Sequence, residues 1–218
     1  MEITKEKTFE AWQAVLRHIL DNGTVYEDEN KRQCREVTNL LVTIENPESD
    51  VARPVETLTD FKKWVYPSQR EITEMILTRK ENPAHEYCYG SRIFNWEDSV
   101  DQINDFVIPV LKKNLNSRRG FVILADPKKD SSPLSTYIPG LLLLDFKVKN
   151  KKINVHALVR SNDMFIGWPA NIVQMHVLQK YIAQRINVGI GYIATLSTSG
   201  QIFDDYREEI ERIIAIKG

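Results

Sequence analysis

The residues with most chemistry to offer lie in one stretch, IPGLLLLDFKVKNKKINVHALVRSNDMFIGWPAN, from Ile138 to Asn171. Two strand-patterned runs, Asp145 to Val148 and Ile153 to Val159, flank the polar turn Lys149-Asn150-Lys151-Lys152, and the second ends at Arg160-Ser161-Asn162-Asp163. After Gly167-Trp168-Pro169 the pattern predicts a helix starting at about Ala170-Asn171. An arginine at a strand end beside a helix start suits an anionic ligand. The guanidinium offers charge-assisted hydrogen bonds, and the first helical turn presents N–H groups with no partner of their own. A second basic pair, Arg118-Arg119 after Ser117, precedes the strand-like run FVILA; on residue type alone it is solvated surface charge.

Composition narrows the classes of function. The chain has 218 residues, 42% of them apolar and 27% charged, with a formal net charge of −1. That balance is ordinary for a soluble globular protein and gives no reason to expect nucleic acid or a membrane surface as partner. The apolar run Leu141 to Leu144 is far too short to span a bilayer, and MEITKEKTFEAW at the N-terminus has no signal-peptide core. Two cysteines, Cys34 and Cys88, supply neither a disulfide framework nor a cysteine-rich zinc site. The histidines at 18, 85, 156 and 176 have no ligand spacing. A cytoplasmic, metal-free protein is expected, in one domain spanning 1–218.

The elements that must position these residues follow from periodicity. Thr8 to Asn22 reads as a helix capped by Thr8, with Phe9, Trp12, Leu16 and Ile19 at helical spacing. VTNLLVTIE, Val37 to Glu45, reads as a strand. The segment from Glu48 to Pro83 is expected to be mostly helical, with Trp64, Tyr66, Met75, Ile76 and Leu77 in the core. Asp98 to Leu115 reads as a helix kinked or broken at Pro109. A helix from Ala170 to Asn187, a strand GYIATLSTS from Gly191 to Ser199 and a helix from Asp204 to Ile216 complete the chain.

RSNDMFIGWPAN is similar to the R-S-x-D-x(3)-G-x-P-x-N signature of thymidylate synthases and their pyrimidine hydroxymethylase relatives. Glu86 to Arg92, EYCYGSR, resembles the YxYGxR stretch of the short, archaeal-type members. The resemblance implies an α+β fold: a thymidylate synthase-like twisted mixed sheet with helices on one face, the other face pairing sheet-to-sheet in a homodimer. It implies a pyrimidine nucleoside monophosphate, dUMP or UMP, as ligand. Arg160 and Ser161 would hold the phosphate, with Arg118 and Arg119 of the second subunit and a loop arginine, Arg32 rather than Arg35. Asn171 would read a uracil edge. Asp163 would contact the base through its backbone and a pterin through its carboxylate. Gly167 would allow close approach, and Trp96 would line the pocket of a reduced folate or methanopterin. A glutamate that relays protons falls at Glu81, with Glu86 the runner-up.

The chain also departs from the pattern. Counting back from Arg160, the family's catalytic Pro-Cys falls on Pro139-Gly140, so no thiol stands at the nucleophile position. Losing the nucleophile of a comparable covalent enzyme costs on the order of a millionfold in rate. Gln201 and Phe203 stand where the family has the His and Tyr that hold the sugar 3′-hydroxyl, which predicts weaker discrimination between dUMP and UMP. The resulting expectation is a nucleotide-binding protein without C5 chemistry. The alternative is a folate-dependent C5 methyl- or hydroxymethyltransferase with a relocated nucleophile, Cys88 or Cys34, or with an engineered glycine.

Overall fold

The computed structural model describes residues 1–81, 88–134 and 138–217. Its strands are β1 (Glu2–Lys5), β2 (Thr24–Glu27), β3 (Gln33–Ile44), β4 (Phe121–Ile123), β5 (Leu141–Lys149), β6 (Lys152–Val159), β7 (Asn162–Asp163) and β8 (Gly189–Phe203). They form one mixed sheet in the order β1-β3-β8-β6-β5-β4, with β2 added to β3 and β7 to β8. The expected hairpin is β5–β6. Its turn residues Asn150 and Lys151 both take positive φ, 50° and 56°, the backbone that matches the twist of a two-residue hairpin.

Helix α1 (Thr8–Asn22) has the predicted bounds but not the predicted cap. Thr8 is already helical, and its N–H, with that of Phe9, is taken by the Asp50 carboxylate at 2.7 and 3.0 Å. The stretch after Glu48 is less helical than expected. It holds a short 3₁₀ turn, α2 (Arg53–Asp60) and α3 (Gln69–Leu77), the last opened by a Ser68–Glu71 capping box. Ile76 is buried, but Met75 and Leu77 are exposed, because the short α3 turns only Ile72 and Ile76 inward. α4 (Tyr89–Phe94) follows. The helix expected from Asp98 to Leu115 is instead a π-helical turn, Gln102–Val107, running into α5 (Ile108–Lys113). Pro109 sits in the first turn of α5, where its missing N–H costs nothing.

α6 (Gly167–Ile186) makes the parallel crossover from β6 to β8 and lies on the sheet. It is anchored by hydrogen bonds buried between the layers: Gln179 Nε2 to the Ile153 and Gly191 carbonyls at 2.7 and 3.1 Å, and Trp168 Nε1 to Thr195 Oγ1 at 3.1 Å. α7 (Arg207–Ala215) packs against α1. The core lies between these helices and the inward side chains of β3, β5, β6 and β8, among them Leu40, Val42, Phe146, Val155 and Ile193. Across the sheet, Leu41, Thr43, Leu143 and Leu158 are half-exposed and Leu196 is exposed. Among the described residues no helix is long and apolar enough to cross a membrane.

The regular pairing of strands fails at several places in the sheet, and some of these lie side by side. In β3, Asn39 has φ 53°, and its neighbours pair with Ser199 and Ser197 of β8 on either side of an unpaired Asn39–Thr198 position. Ser197 faces the buried layer, yet so does Gly200, where a Cβ would lie 3.0 Å from Leu40 Cδ2. The alternation therefore shifts by one residue between them, and Ser199, Gln201 and their neighbour Glu36 turn to the other side. β5 carries a register shift between Leu141 and Leu143. The register of β7 on β8 continues that of β6, with Arg160 and Ser161 left out of the ladder between them. Asn39→Val, which forces a β-branched side chain into left-handed backbone, should cost about 1–2 kcal/mol. Urea unfolding would read this as a lower midpoint at unchanged slope, with Asn39→Gly within about 0.5 kcal/mol of the parent.

Candidate active site

Because Arg160 and Ser161 drop out of the ladder, their side chains are free of the sheet's two-sided pattern. The Arg160 backbone is held from both flanks: its N–H donates to Gly140 O at 2.8 Å and its carbonyl accepts from Thr198 Oγ1 at 2.6 Å. The guanidinium donates from Nε to Pro139 O at 3.2 Å and from Nη2 to Ile138 O at 2.9 Å. Arginine has five N–H donors, so the clip leaves others directed to solvent. Arg160 makes no ion pair among the described residues, whereas Arg35 pairs with Asp204 and Arg92 with Asp130.

Gly140 lies against this segment. A Cβ on it would fall 2.8 Å from the Ser161 carbonyl oxygen, closer than a carbon and an oxygen can sit. The position is fitted to glycine, and a side chain there would push Ser161 away. Tyr89 closes the same spot. Its hydroxyl accepts from Leu141 N at 3.1 Å and lies 3.9 Å from where that Cβ would be. Tyr89 is held there because α4 seats on α3 at Gly90, where any Cβ would meet the Met75 and Thr78 carbonyls at 2.6 Å. The sequence reading missed Tyr89, although it opens the YG pair within the YxYGxR stretch. Neither cysteine occupies this place. Cys34 is fully buried with Sγ on Arg32 O at 3.3 Å, and burial pushes its thiol pKa up. Cys88 Sγ faces Met75 O at 3.7 Å.

The anion site expected at the helix start needs correction. α6 begins at Gly167, and the N–H groups just before it, Phe165 and Ile166, already donate to Asp163 Oδ1 at 2.9 and 3.0 Å. A protein carboxylate has taken these N–H groups, so an anion at the helix start would compete with Asp163. Burial pushes the Asp163 pKa up to about 6, against the pull of those N–H groups and of Arg32. Its loop is pinned on both sides, by Trp12 Nε1 on Met164 O at 2.8 Å and Tyr66 OH on Ile166 O at 2.5 Å. Asn171 is half-buried, and its side chain makes no hydrogen bond among the described residues. At Gly167 a Cβ would meet Asp163 Cβ at an ordinary 3.4 Å, so packing within the chain does not demand glycine there.

Gln201 stands at the centre of a group of hydroxyls. Its Oε1 accepts from Tyr26 OH and Ser161 Oγ, each at 3.4 Å, and lies 3.2 Å from Ser199 Oγ. Ser199 Oγ also donates to the Glu36 carboxylate. Arg32 is brought close, but it is engaged: its guanidinium pairs with Asp28 at 2.8 Å and lies 4.0 Å over the Phe203 ring.

The Ser117-Arg118-Arg119 turn is set apart. Lys147 Nζ donates to Arg118 O at 3.0 Å, which places the Ser117-Arg118-Arg119 turn at the hairpin end of β5. Leu141, beside Gly140, begins the opposite end of that strand, on the order of 20 Å away at the usual strand rise. Arg118 and Arg119 are exposed, line a surface groove with Lys113 and Asn116, and have no ion pair among the described residues. Glu81 is a surface residue, its side chain 80% exposed and 3.6 Å from Lys129, so solvent rather than a site surrounds it. Glu86 lies outside the described residues. Trp96 is half-buried and bridges to Val100. Among the described residues no group of three His, Cys, Asp or Glu could hold a metal ion.

Asp163 has a consequence for stability. Between its ordinary value of 3.8 and about 6, the folded protein keeps a proton that the unfolded chain has released. Stability contributed by this group is therefore complete below that window and falls as pH rises through it. Asp163→Asn keeps an acceptor for Phe165 and Ile166. It should flatten the stability profile between pH 4 and 6 and raise stability at pH 7 by about 2–3 kcal/mol at most, measured by urea titrations across that range.

Residues 62–217 match the family described as thymidylate synthase. The chain is 33% identical over 213 residues to a protein of Methanosarcina barkeri, covering 97% of this chain and 94% of the relative. With a protein of Methanococcoides burtonii it shares 31% over 205 residues, covering 94% and 90%. Both relatives bear the name "Putative thymidylate synthase". A "Thymidylate synthase" of Listeria monocytogenes is 27% identical over 174 residues, 72% of this chain and 54% of that one. The matched region contains Gly140, Arg160, Ser161, Asp163, Asn171 and Gln201, and the mixed sheet with its helices is the architecture the resemblance implied. The chain belongs to the thymidylate synthase family.

Proposed function

We propose that this protein holds a pyrimidine nucleoside monophosphate without bonding to it covalently, at the place where its family acts on dUMP. The observation that carries the reading is the contact at Gly140, where a Cβ would sit 2.8 Å from Ser161 O. A thiol shaved from an otherwise intact site would leave space for its own Cβ, and here there is none. That argues for a resident glycine rather than an engineered one. A relocated nucleophile finds little support, since Cys34 is buried and Cys88 is turned toward Met75.

On this reading the phosphate meets Arg160 and Ser161, and Asn171, half-buried with no internal partner, reads the pyrimidine edge. Arg118 and Arg119 cannot reach the same phosphate from within one chain, so they serve the site of a second subunit docked on the open sheet face. A reduced folate or methanopterin, when bound, would carry a one-carbon unit. The half-buried Asp163 carboxylate and the half-buried Trp96 are the residues that would hold its pterin. Without a nucleophile to activate pyrimidine C5, that carrier would be a co-ligand rather than a donor. Arg32 can join the phosphate only by leaving Asp28.

Each charge-assisted hydrogen bond contributes roughly 1.5–3 kcal/mol, so Arg160→Ala should weaken dUMP or UMP binding at least tenfold in calorimetry while the fold is kept. Mixing Arg160→Ala subunits with Arg118→Ala/Arg119→Ala subunits should restore one of the two sites in each mixed dimer. Unchanged affinity in the first variant refutes the site, and a monomer in solution refutes the sharing.

Mass spectrometry should find no covalent adduct after incubation with 5-fluoro-dUMP and methylenetetrahydrofolate. An adduct mapped to Cys88 or Cys34 would make the protein a transferase with a moved nucleophile.

A further inference from the structure

We propose that Glu36, Ser199 and Gln201 form a sugar-edge reader that takes a ribose diol, so that the bound nucleotide is a ribonucleotide rather than its 2′-deoxy form. The inference rests on the nucleotide-site reading above and adds the sugar to it.

Glu36 and Gln201 are cross-strand partners on β3 and β8. Both lie beyond the slip at Asn39, which turns them out of the helix-covered core. Glu36 is a half-buried carboxylate with no ion pair among the described residues, and its one hydrogen bond there comes from Ser199. A half-buried carboxylate with one internal donor keeps free lone pairs that can accept from a ligand. A metal is not indicated, because no second acid, His or Cys joins it in a ligand group among the described residues. A phosphate would be repelled. Hydroxyl groups fit, and a carboxylate on a ribose hydroxyl is an established mode of reading that sugar.

Position supports the same ligand. Ser161 Oγ is 3.4 Å from Gln201 Oε1, so the cluster touches the residue beside Arg160. In a nucleoside monophosphate the ribose follows the phosphate through one ester oxygen and one methylene. Its hydroxyl edge must therefore fall about one side chain away from the phosphate grip, where this cluster lies. The three hydroxyl contacts on Gln201 are 3.2–3.4 Å, at the long end of the range, so none is a tight bond that a ligand hydroxyl would have to break. Tyr26, whose pKa burial and the neighbouring Cys34 and Glu36 push up to about 12, keeps its proton and stays a donor to the amide. Gln201 is then left with its Nε2 donor for one sugar hydroxyl while Glu36 accepts from the other.

Phe203, the cross-strand partner of Cys34, carries no hydrogen-bonding group and supports the Arg32 guanidinium instead. Sugar reading thus falls to Gln201 and to its β3 neighbour Glu36, two pairs along the strands from Phe203.

The test is calorimetry of the full-length protein with UMP and dUMP at equal ionic strength. UMP should bind at least tenfold tighter. Glu36→Gln should bring the ratio within about threefold of unity by weakening UMP, with dUMP affinity unchanged or improved. Equal or tighter binding of dUMP to the parent protein overturns the proposal, as does a Glu36→Gln ratio equal to the parent's in a protein of unchanged circular dichroism. If neither nucleotide binds the parent, the nucleotide-site reading itself falls and this one with it. Binding of both without preference overturns the sugar assignment alone.

Discussion

The candidate site depends on one constraint: Arg160 and Ser161 are left out of the ladder where the neighbouring strands also lose regular pairing. Irregularities fall side by side at Leu142 in β5, Arg160 and Ser161 between β6 and β7, Thr198 in β8 and Asn39 in β3, while a separate register shift lies between Ile153 and Val155 of β6. Each irregularity alone would be a local defect. In register they form a crease that divides the sheet. On one side of it the inward residues build the core. On the other, side chains that would have been buried face outward, and polar ones can gather. The Thr198 hydroxyl on Arg160 O and the Arg160 N–H on Gly140 O stitch the crease closed, so backbone groups that lost ladder partners still have them.

What keeps the crease in place is the aromatic cluster beneath it. Phe165, two residues past Asp163, is fully buried, stacks with Trp12 at 6.2 Å and meets Trp64 and Tyr206 at 5.8 and 5.1 Å. Such pairs add roughly 0.5–1.5 kcal/mol each beyond the area they bury. The loop that carries Asp163 is therefore among the best anchored parts of the chain, despite being irregular. Site and core share residues here, so rigidity at Asp163 comes from packing at Phe165 rather than from the sheet.

Much of this was legible in the sequence, for physical reasons. The bounds of α1 follow from a 3.6-residue apolar stripe, and the β5–β6 hairpin from alternation around Asn150-Lys151. The stretch from Arg160 to Asn171 announced a site because its polar groups fall at a strand end. Other features were hidden. Asp50 caps α1 from more than forty residues away, a relation no local pattern encodes. The π-helical turn before Pro109 keeps nearly the same apolar spacing as an α-helix. Asp163 occupying the helix start looks, in sequence, the same as an open one. Glu36 and Tyr89 were invisible because each makes its contacts across strands or helices: the strand expected from Val37 in fact begins at Gln33 and takes in Glu36.

The arrangement of charge is the last consequence of the crease. Arg160 has no carboxylate partner and Glu36 no cation among the described residues, yet both border the same serine–glutamine contact. Direct pairing of the two would satisfy both at little cost, and many arginines of this chain do pair: Arg32 with Asp28, Arg35 with Asp204, Arg92 with Asp130. Arg160 is prevented by its own anchoring, because two of its N–H groups are committed to the Ile138 and Pro139 carbonyls on the far side of Gly140. Glycine at 140 is part of that anchoring, since a Cβ would displace Ser161 and let the arginine swing. A positive and a negative group held apart in this way define a ligand with a complementary polarity, an anion at one end and hydroxyl donors at the other. A nucleoside monophosphate has that polarity, so the proposed nucleotide site and a glycine at 140 are compatible.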